Sequence, residues 1–449
     1  MPPQNSARRI LTAAALSLGF STSLFAESAA VLPEGRSRMT FVYAQATGIT
    51  QTFDNDGNIQ GLTKDYNFEL SSSKLKDFDS RLSKLVNFLN ATGKRYDTKV
   101  RENGFFGITQ DPTAPLLGDA LSLGYLNVGV EAQRQEGVVS LQHGVTDQLT
   151  VAIIVPTLRT KVHVTHSITG NNTANDIYNG FVSNNAGVLP DLRDALNLVR
   201  NLSDETFQSV LTDKGYARVE DWQGTGLGDI QLLSRYNWLK LGADKDVPTQ
   251  PATFLASFQA TTTAPTGKTK DPSVLTQTDF GQGSWDTGIA HIINVTPWNW
   301  ITLSQGVHYT QPLFGHRLLR VRATPDAFIP DAADEEDVIQ KLGTKESLTL
   351  GGELHLTSSL SLSSDYEWAW KQQDRYTGSK TDRDYTYLSE KTDTYTETFV
   401  VGVSFSTIPA FLKNDFPLPL QMGITINLPH VGRNTTLAPY GMAELSMVF

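Results

Sequence analysis

The sequence predicts an all-β chain, a transmembrane antiparallel up-and-down β-barrel of about 12 strands, with short amphipathic helices in long extracellular loops. Three observations lead there. Apolar and polar residues alternate with period two through most of the 449 residues. The connections between these segments alternate between tight turns and long insertions, as at the two rims of an outer-membrane barrel. No segment beyond the N-terminal region reaches the roughly 18 consecutive apolar residues of a spanning helix.

The elements follow in chain order. Arg8 and Arg9 precede an apolar run from Ile10 to Phe25, closed by Ala26, which is the pattern of a secretory signal peptide over 1–26; Ala29 and Ala30 offer alternative cut sites. The remainder, 27–449, reads as the barrel. Strands are expected near 38–51, 124–144, 149–164, 226–240, 252–266, 282–295, 300–314, 346–357, 360–376, 394–407, 417–429 and 438–449. Leu420, Met422, Ile424, Ile426 and Leu428 alternate with Gln421, Gly423, Thr425 and Asn427, and Leu362, Tyr366, Trp368 and Trp370 alternate with Ser363, Asp365, Glu367 and Lys371. In the second strand the pattern slips around Arg134 and Glu136, which suggests a bulge. Long loops fall near 52–120, 166–224, 316–345 and 377–393. Trp238, Trp298, Trp300, Phe411 and Phe416 sit beside tight turns. Trp285, Tyr309, Tyr366, Trp368 and Trp370 sit nearer the long loops, so two aromatic belts are expected.

Composition excludes several functions. Asp and Glu outnumber Lys and Arg by 47 to 37, and the net charge of −10 argues against a nucleic-acid partner. With no Cys there is no disulfide, thiolate metal site or Cys nucleophile. Gly226-Leu227-Gly228-Asp229 precedes a strand rather than a helix, and Thr263–Lys270 lacks the spacing of a phosphate loop, so no cofactor is expected. The eight His residues are scattered and no Gly-x-Ser-x-Gly elbow is present, so neither a metal site nor a catalytic residue is assigned. His291 alone falls on the expected outer face, with no Ser partner for a barrel lipase. Asp54-Asn55-Asp56-Gly57-Asn58 reads as a hairpin tip rather than a calcium loop, because the downstream Glu is missing.

The candidate sites belong to a channel. Val151, Ile153, Val155, Arg159, Lys161, Asp229, Arg235, Asp286, Glu353, Asp365 and Glu367 are expected to face the lumen, with Ala152, Ile154, Pro156, Leu158 and Val162 facing lipid. Two loop segments carry helical period. Leu75, Phe78, Leu82 and Leu85 form one stripe, and Leu192 and Leu196 belong to another that runs toward Gly215 as a C-cap. Either these stripes pack within their loops or they line an apolar vestibule. Phe449, preceded by apolar residues at alternate positions, fits the C-terminal signal read by the barrel-assembly machinery.

Several stretches then resemble a known family. Gly144-Val145-Thr146-Asp147-Gln148-Leu149 with Val155-Pro156, then Gly224–Ile230 with Arg235-Tyr236, then Pro265-Thr266-Gly267 with Phe280–Asp286, are similar in kind and order to motifs of the meta-pathway phenol-degradation transporter family, within the outer-membrane long-chain fatty-acid transporter group. The resemblance covers roughly 140–310 and the last strand. It implies an outer-membrane barrel of a Gram-negative bacterium that passes hydrophobic molecules. The dozen or so residues between the cut site and the first strand are too few for the plug of the fatty-acid transporters, and no Asn-Pro-Ala motif appears. The combined expectation is a monomer in outer-membrane lipid, for passive uptake of small hydrophobic or aromatic solutes. A structural or adhesive barrel is the alternative, and a barrel lipase a further one.

Overall fold

The computed structural model describes residues 28–64, 67–78, 80–102, 105–170, 172–177, 194, 204–242, 253–322 and 330–449. The expected signal peptide, Leu192 and Leu196 lie outside the described residues.

Twelve strands close into one antiparallel barrel. They are β1 (Ser37–Ile49), β2 (Ser122–Thr146), β3 (Leu149–Thr169), β4 (Trp222–Leu227 continued by Ile230–Leu241), β5 (Thr253–Ala264), β6 (Asp286–Trp298), β7 (Ile301–Pro312), β8 (Lys345–His355), β9 (Leu360–Lys371), β10 (Thr394–Ser406), β11 (Leu420–Arg433) and β12 (Tyr440–Val448). Each pairs with its sequence neighbours, and β1 pairs with β12. At the seam, Ser37 and Phe449 exchange N–H···O bonds of 2.8 Å each. Closure leaves no unpaired edge, a condition for strands in hydrocarbon, where no water can satisfy a free backbone group.

Period two puts one residue set of each strand on each wall face. The outward set is apolar and exposed: Phe41, Val139, Leu141, Leu232, Phe258, Ile289, Leu303, Leu350, Leu362, Val403, Ile424 and Leu445 all belong to it. So continuous an apolar band cannot face water. Trp238, Trp298, Trp300, Phe411 and Phe416 border it at the tight-turn rim, and Trp285, Tyr309 and Trp370 at the other. The chain is an outer-membrane barrel with two aromatic girdles. No helix among the described residues is long and apolar enough to cross a membrane.

β2 and β3 run for 25 and 21 residues, about twice the 9–11 that a tilted strand needs to cross. Their far halves project outside and carry a cap. Its helices α1 (Ser72–Phe78), α2 (Ser80–Ala91), α3 (Thr173–Ile177) and α4 (Asp204–Asp213) enclose a core of Leu75, Leu82, Leu85, Val86, Leu89, Leu117, Leu121, Ile177 and Leu211. Gly215, at φ 75°, caps α4, its N–H bonding Thr212 O at 2.8 Å while Tyr216 N bonds Leu211 O at 2.9 Å. A second platform is the sheet of Phe314–Arg320, Glu335–Lys341 and Arg375–Thr377. The predicted hairpin at Asp54–Asn58 forms, with Asp54 Oδ1 accepting from Asp56 N and Asn58 N at 2.9 Å each.

The expected irregularity near Arg134 lies on one side of β2 only. The ladder to β1 shifts register between Ala46, opposite Arg134, and Ile49, opposite Ala132, so the extra residue belongs to β1. The ladder to β3 runs past Arg134 and Glu136 without a break and shifts at Gly144/Thr146.

Candidate functional site

The site is the lumen, and two pieces of the chain's own backbone enter it. The first is the segment before β1. Ala29 is fully buried against Ala290 and Ile292, with Leu255 beside it. Asn294 Oδ1 accepts from Ala29 N, Ser257 Oγ donates to Ala29 O, and Arg235 Nη1 donates to Ser28 O at 2.7 Å. Leu32 N donates to Thr150 Oγ1 at 2.7 Å. These partners come from β3, β4, β5 and β6, so residues 28–32 lie across the tight-turn end of the lumen. The segment is short for a plug, as expected, yet extended residues at about 3.3 Å each carry it from β1 into the lumen. The turn motif at 144–149 secures its entry. Thr146 Oγ1 accepts from Gln148 N and Leu149 N at 3.2 and 3.0 Å. Asp147 Oδ1 accepts from Glu34 N at 3.2 Å. Gly144 lies so close to the segment that a Cβ there would sit 2.1 Å from Pro33 O.

The second piece is the β5–β6 loop, 265–285, which folds into the opposite mouth. β4 breaks at Gly228-Asp229, opposite Pro156, where Gly228 N still bonds Pro156 O at 2.9 Å. The Asp229 carboxylate, freed from the ladder, accepts from Gly267 N at 2.8 Å and Gln282 N at 2.7 Å, and Thr266 Oγ1 donates to Gly228 O at 2.8 Å. The loop thereby lays Phe280 over β4, 6.1 Å from the Trp222 ring. A Cβ at Gly226 would lie 2.7 Å from Phe280 Cδ2, so this approach requires glycine. Arg317 Nη2 holds both Asp279 oxygens, at 2.6 and 2.7 Å. Desolvation lowers the pKa of the Lys270 ammonium, with Asp279 opposing. Pro156 and the sequence segments 224–230, 265–267 and 280–286 are thus brought together in space as one staple, whereas 144–149 stands at the opposite rim.

Around the mouth the inward faces of β1, β2, β3 and β12 mix apolar residues with charge: the buried Arg134 and half-buried Glu136 of β2 stand opposite Ala46 and Ala44, and Glu444 of β12 opposite Val42. Ala44, Ala46, Ala132, Val162, Tyr440 and Met442 form a buried cluster against which Val42, Val130 and Trp222 pack. Lower down, Leu233, Leu255 and Ile292 share the inward parity of Arg235 and Asn294. The rest of the wall is polar. Asp286 meets Lys345 at 3.4 Å, and His355 bridges Thr302 and Ser361 at 2.9 and 3.0 Å. Arg235 also donates to Gln259 Oε1.

Of the expected lumen residues, Arg235, Asp286, Glu353, Asp365 and Glu367 take inward register, and Asp229 is occupied in the staple. Val151, Ile153 and Val155 are corrected. They pair with outward Ser234, Leu232 and Val139, while Ala152 and Ile154 face in. The sequence carries no phase here because residues 151–156 are apolar on both faces; the ladder to β4 sets it. Arg159 and Lys161 share this outward parity and are exposed on the projecting part of β3, where polarity no longer marks a lumen. His163 follows them, with Nδ1 2.7 Å from Asp221 Oδ2. The vestibule residues Leu75, Leu82 and Leu85 are corrected too: each is at most 1% exposed, in the cap core. The Phe78 side chain lies outside the described residues.

Residues 28–34, the descent of 268–279 into the mouth and Trp222 are features of the site that periodicity in the sequence does not mark. The paired glycine motifs flanking the loop were the available signal, since short glycines on both sides of a connection announce a close approach.

No family model matches the chain, and no curated protein matches it. Among solved structures, an outer membrane channel from Pseudomonas putida F1 is similar at TM-score 0.48 and 11% identity, covering 96% of this chain and 99% of that one. A mutant of the TodX monoaromatic hydrocarbon channel gives 0.30 and 8%, over 93% and 90%. A Pseudomonas aeruginosa FadL homologue gives 0.28 and 10%, over 92% and 90%. At these scores and identities the likenesses carry no argument about function, and the fold rests on the strand ladder itself.

Proposed function

We propose that the barrel is a passive channel for small hydrophobic or aromatic compounds. The observation that carries this reading is the run of apolar side chains at the mouth, Trp222, Val162, Tyr440 and Met442 beside Phe280, bordered on β2 by the buried Arg134 and by Glu136. A water-filled pore for sugars or ions is lined by polar groups, whereas an apolar lining lowers the cost of dehydrating an apolar solute. Leu233 carries the same chemistry toward the opposite rim, where Ala29 covers Ile292 and packs beside Leu255.

The test is Met442→Asp, which places a charge inside that run. A carboxylate there replaces an apolar group of the path and raises the cost of seating an apolar solute. Uptake of a monoaromatic hydrocarbon into proteoliposomes is expected to fall by about tenfold or more, with uptake of a small sugar unchanged. Equal loss of both solutes in a folded barrel would reject the apolar path.

A further inference from the structure

The extracellular three-stranded sheet has two unlike faces. One packs on the mouth loop through Val338 and Gln340, both fully buried, with Gln340 Nε2 donating to Gln282 O at 2.7 Å. The other looks away from the mouth and is uncovered: Phe314 is 69% exposed, Leu318 47% and Ile339 43%. Cross-strand register aligns Phe314, Lys341 and Arg375 in one row. That row lies at the end of the sheet where its strands join β7, β8 and β9, immediately beyond the lipid-facing band. Leu313, Trp285 and Tyr309 continue the exposed apolar surface into that band.

A cleft of about 200 Å³ opens beside this row, with Lys341 and Arg375 on its walls together with Gln311, Gly343, Thr344 and Gln372. Lys341 Nζ sits 5.4 Å from the centre of the Phe314 ring. Neither Lys341 nor Arg375 belongs to an ion pair among the described residues. The neighbouring carboxylates are already engaged. Asp374 takes Lys371 at 2.6 Å and Gly343 N at 2.7 Å, and Glu346 takes Trp370 Nε1 at 2.9 Å.

Two unpaired cations, a side-chain amide and an exposed ring at the edge of a lipid-facing surface fit one kind of occupant. Basic residues just outside the hydrocarbon attract anionic headgroups, and apolar side chains beside them meet the upper part of the acyl chains. We propose that Lys341, Arg375 and Phe314 form a docking site for a phosphorylated glycolipid of the outer leaflet, phosphate on the two cations and sugar hydroxyls on the amide of Gln372, the Gln311 amide being held by Tyr309 Oη and Pro312 O. The site lies on the outer wall, so the inference stands or falls separately from the transport reading.

The full chain in phosphatidylcholine nanodiscs would be titrated with diphosphoryl lipid A, with its dephosphorylated form and with inorganic phosphate, and bound lipid counted by native mass spectrometry. The variants are Lys341→Gln with Arg375→Gln, Phe314→Ser, and Lys413→Gln at the opposite rim as a control. Diphosphoryl lipid A is expected to bind the parent and Lys413→Gln alike, and the double variant at least about tenfold more weakly. The dephosphorylated lipid is expected to lose that advantage, and Phe314→Ser to weaken lipid binding while retaining heat-modifiable mobility. Equal lipid affinity in the parent and a folded double variant would overturn the proposal. So would inorganic phosphate competing as strongly as the lipid, or a dimer of the parent that the double variant abolishes, which would assign the face to a second copy.

Discussion

At the scale of single residues, the informative groups are those whose polarity contradicts their surroundings. Asp229 interrupts a membrane strand, yet both carboxylate oxygens receive backbone N–H groups from a loop 38 to 53 positions away. Hydrogen bonds to a charged group are among the stronger single contributions, roughly 1.5–3 kcal/mol each, so one side chain can fix the loop's descent into the mouth. Gly351 makes room for Asp365, since a Cβ there would lie 1.8 Å from Asp365 Oδ1. His163 and Asp221 form an exposed pin on the projecting part of β3. Hydrogen bonding and charge from Asp221 raise the imidazole's pKa, while the bonds from Val164 N and His163 lower that of Asp221. The signs give a window. The histidine contribution is complete below about pH 6.5 and is lost as pH rises through the raised value. The aspartate contribution is present above the ordinary carboxylate range and is lost as pH falls through the lowered one. Val164 N, bonded to Asp221 Oδ1 at 2.9 Å, reports the pin. Its protection from hydrogen exchange, corrected for intrinsic rate, is expected to fall as pH rises above about 6.5 through the raised histidine value. His163→Gln should remove that step, and a step that persists in the variant would reject the assignment.

At the scale of elements, a segment's role depends on what it is pressed against. Residues 28–32 have no regular structure, but their backbone groups are satisfied by side chains from four barrel strands, as buried backbone requires. Deleting 28–33 while keeping residues 1–27 should therefore open the tight-turn end. Single-channel conductance in planar bilayers is expected to rise by about twofold or more, with strand content by circular dichroism unchanged. Unchanged conductance would place the narrowest point at the 265–285 loop instead. The loop helices illustrate the converse case. The stripe of Leu75, Leu82 and Leu85 is legible from its spacing, but spacing marks only which side is apolar. The projecting half of β2 offers Leu123 and Leu126, and that of β3 Ile168, as a surface for it, and the stripe becomes a core rather than a vestibule.

At the scale of the whole molecule, closure dominates. Every barrel strand is hydrogen-bonded on both sides, and opening the wall in lipid would expose unpaired backbone groups at several kcal/mol each. The protein is therefore expected to run as a faster, compact band in detergent gels until boiled. The seam runs through Ser37 and Phe449, whose mutual bonds end the β1–β12 ladder, while the Phe449 ring is 55% exposed toward the membrane rim. Deleting Phe449 removes both the exposed ring and the last ladder bonds. The heat-modifiable fraction in outer-membrane preparations should fall severalfold at unchanged synthesis. An unchanged fraction would show that assembly does not depend on this residue.

The sequence alone determined the barrel, its twelve strands, the side on which long loops lie and the two aromatic belts. It did so because a bilayer imposes a one-dimensional rule, alternate apolar residues over about ten positions, that needs no knowledge of neighbours. Wherever that rule lost contrast, the tertiary structure decided. The phase of β3 came from its pairing with β4, since residues 151–156 are apolar on both faces. The polar side chains beyond Leu158 stopped signalling a lumen once the strand had left the bilayer. The two obstructions of the lumen, residues 28–32 and the loop stapled by Asp229, depend on contacts from Asn294, Ser257, Arg235, Gly267 and Gln282. Such contacts join residues tens to hundreds of positions apart, and only the closed wall, by fixing which side chains converge on its axis, brings them within hydrogen-bonding distance.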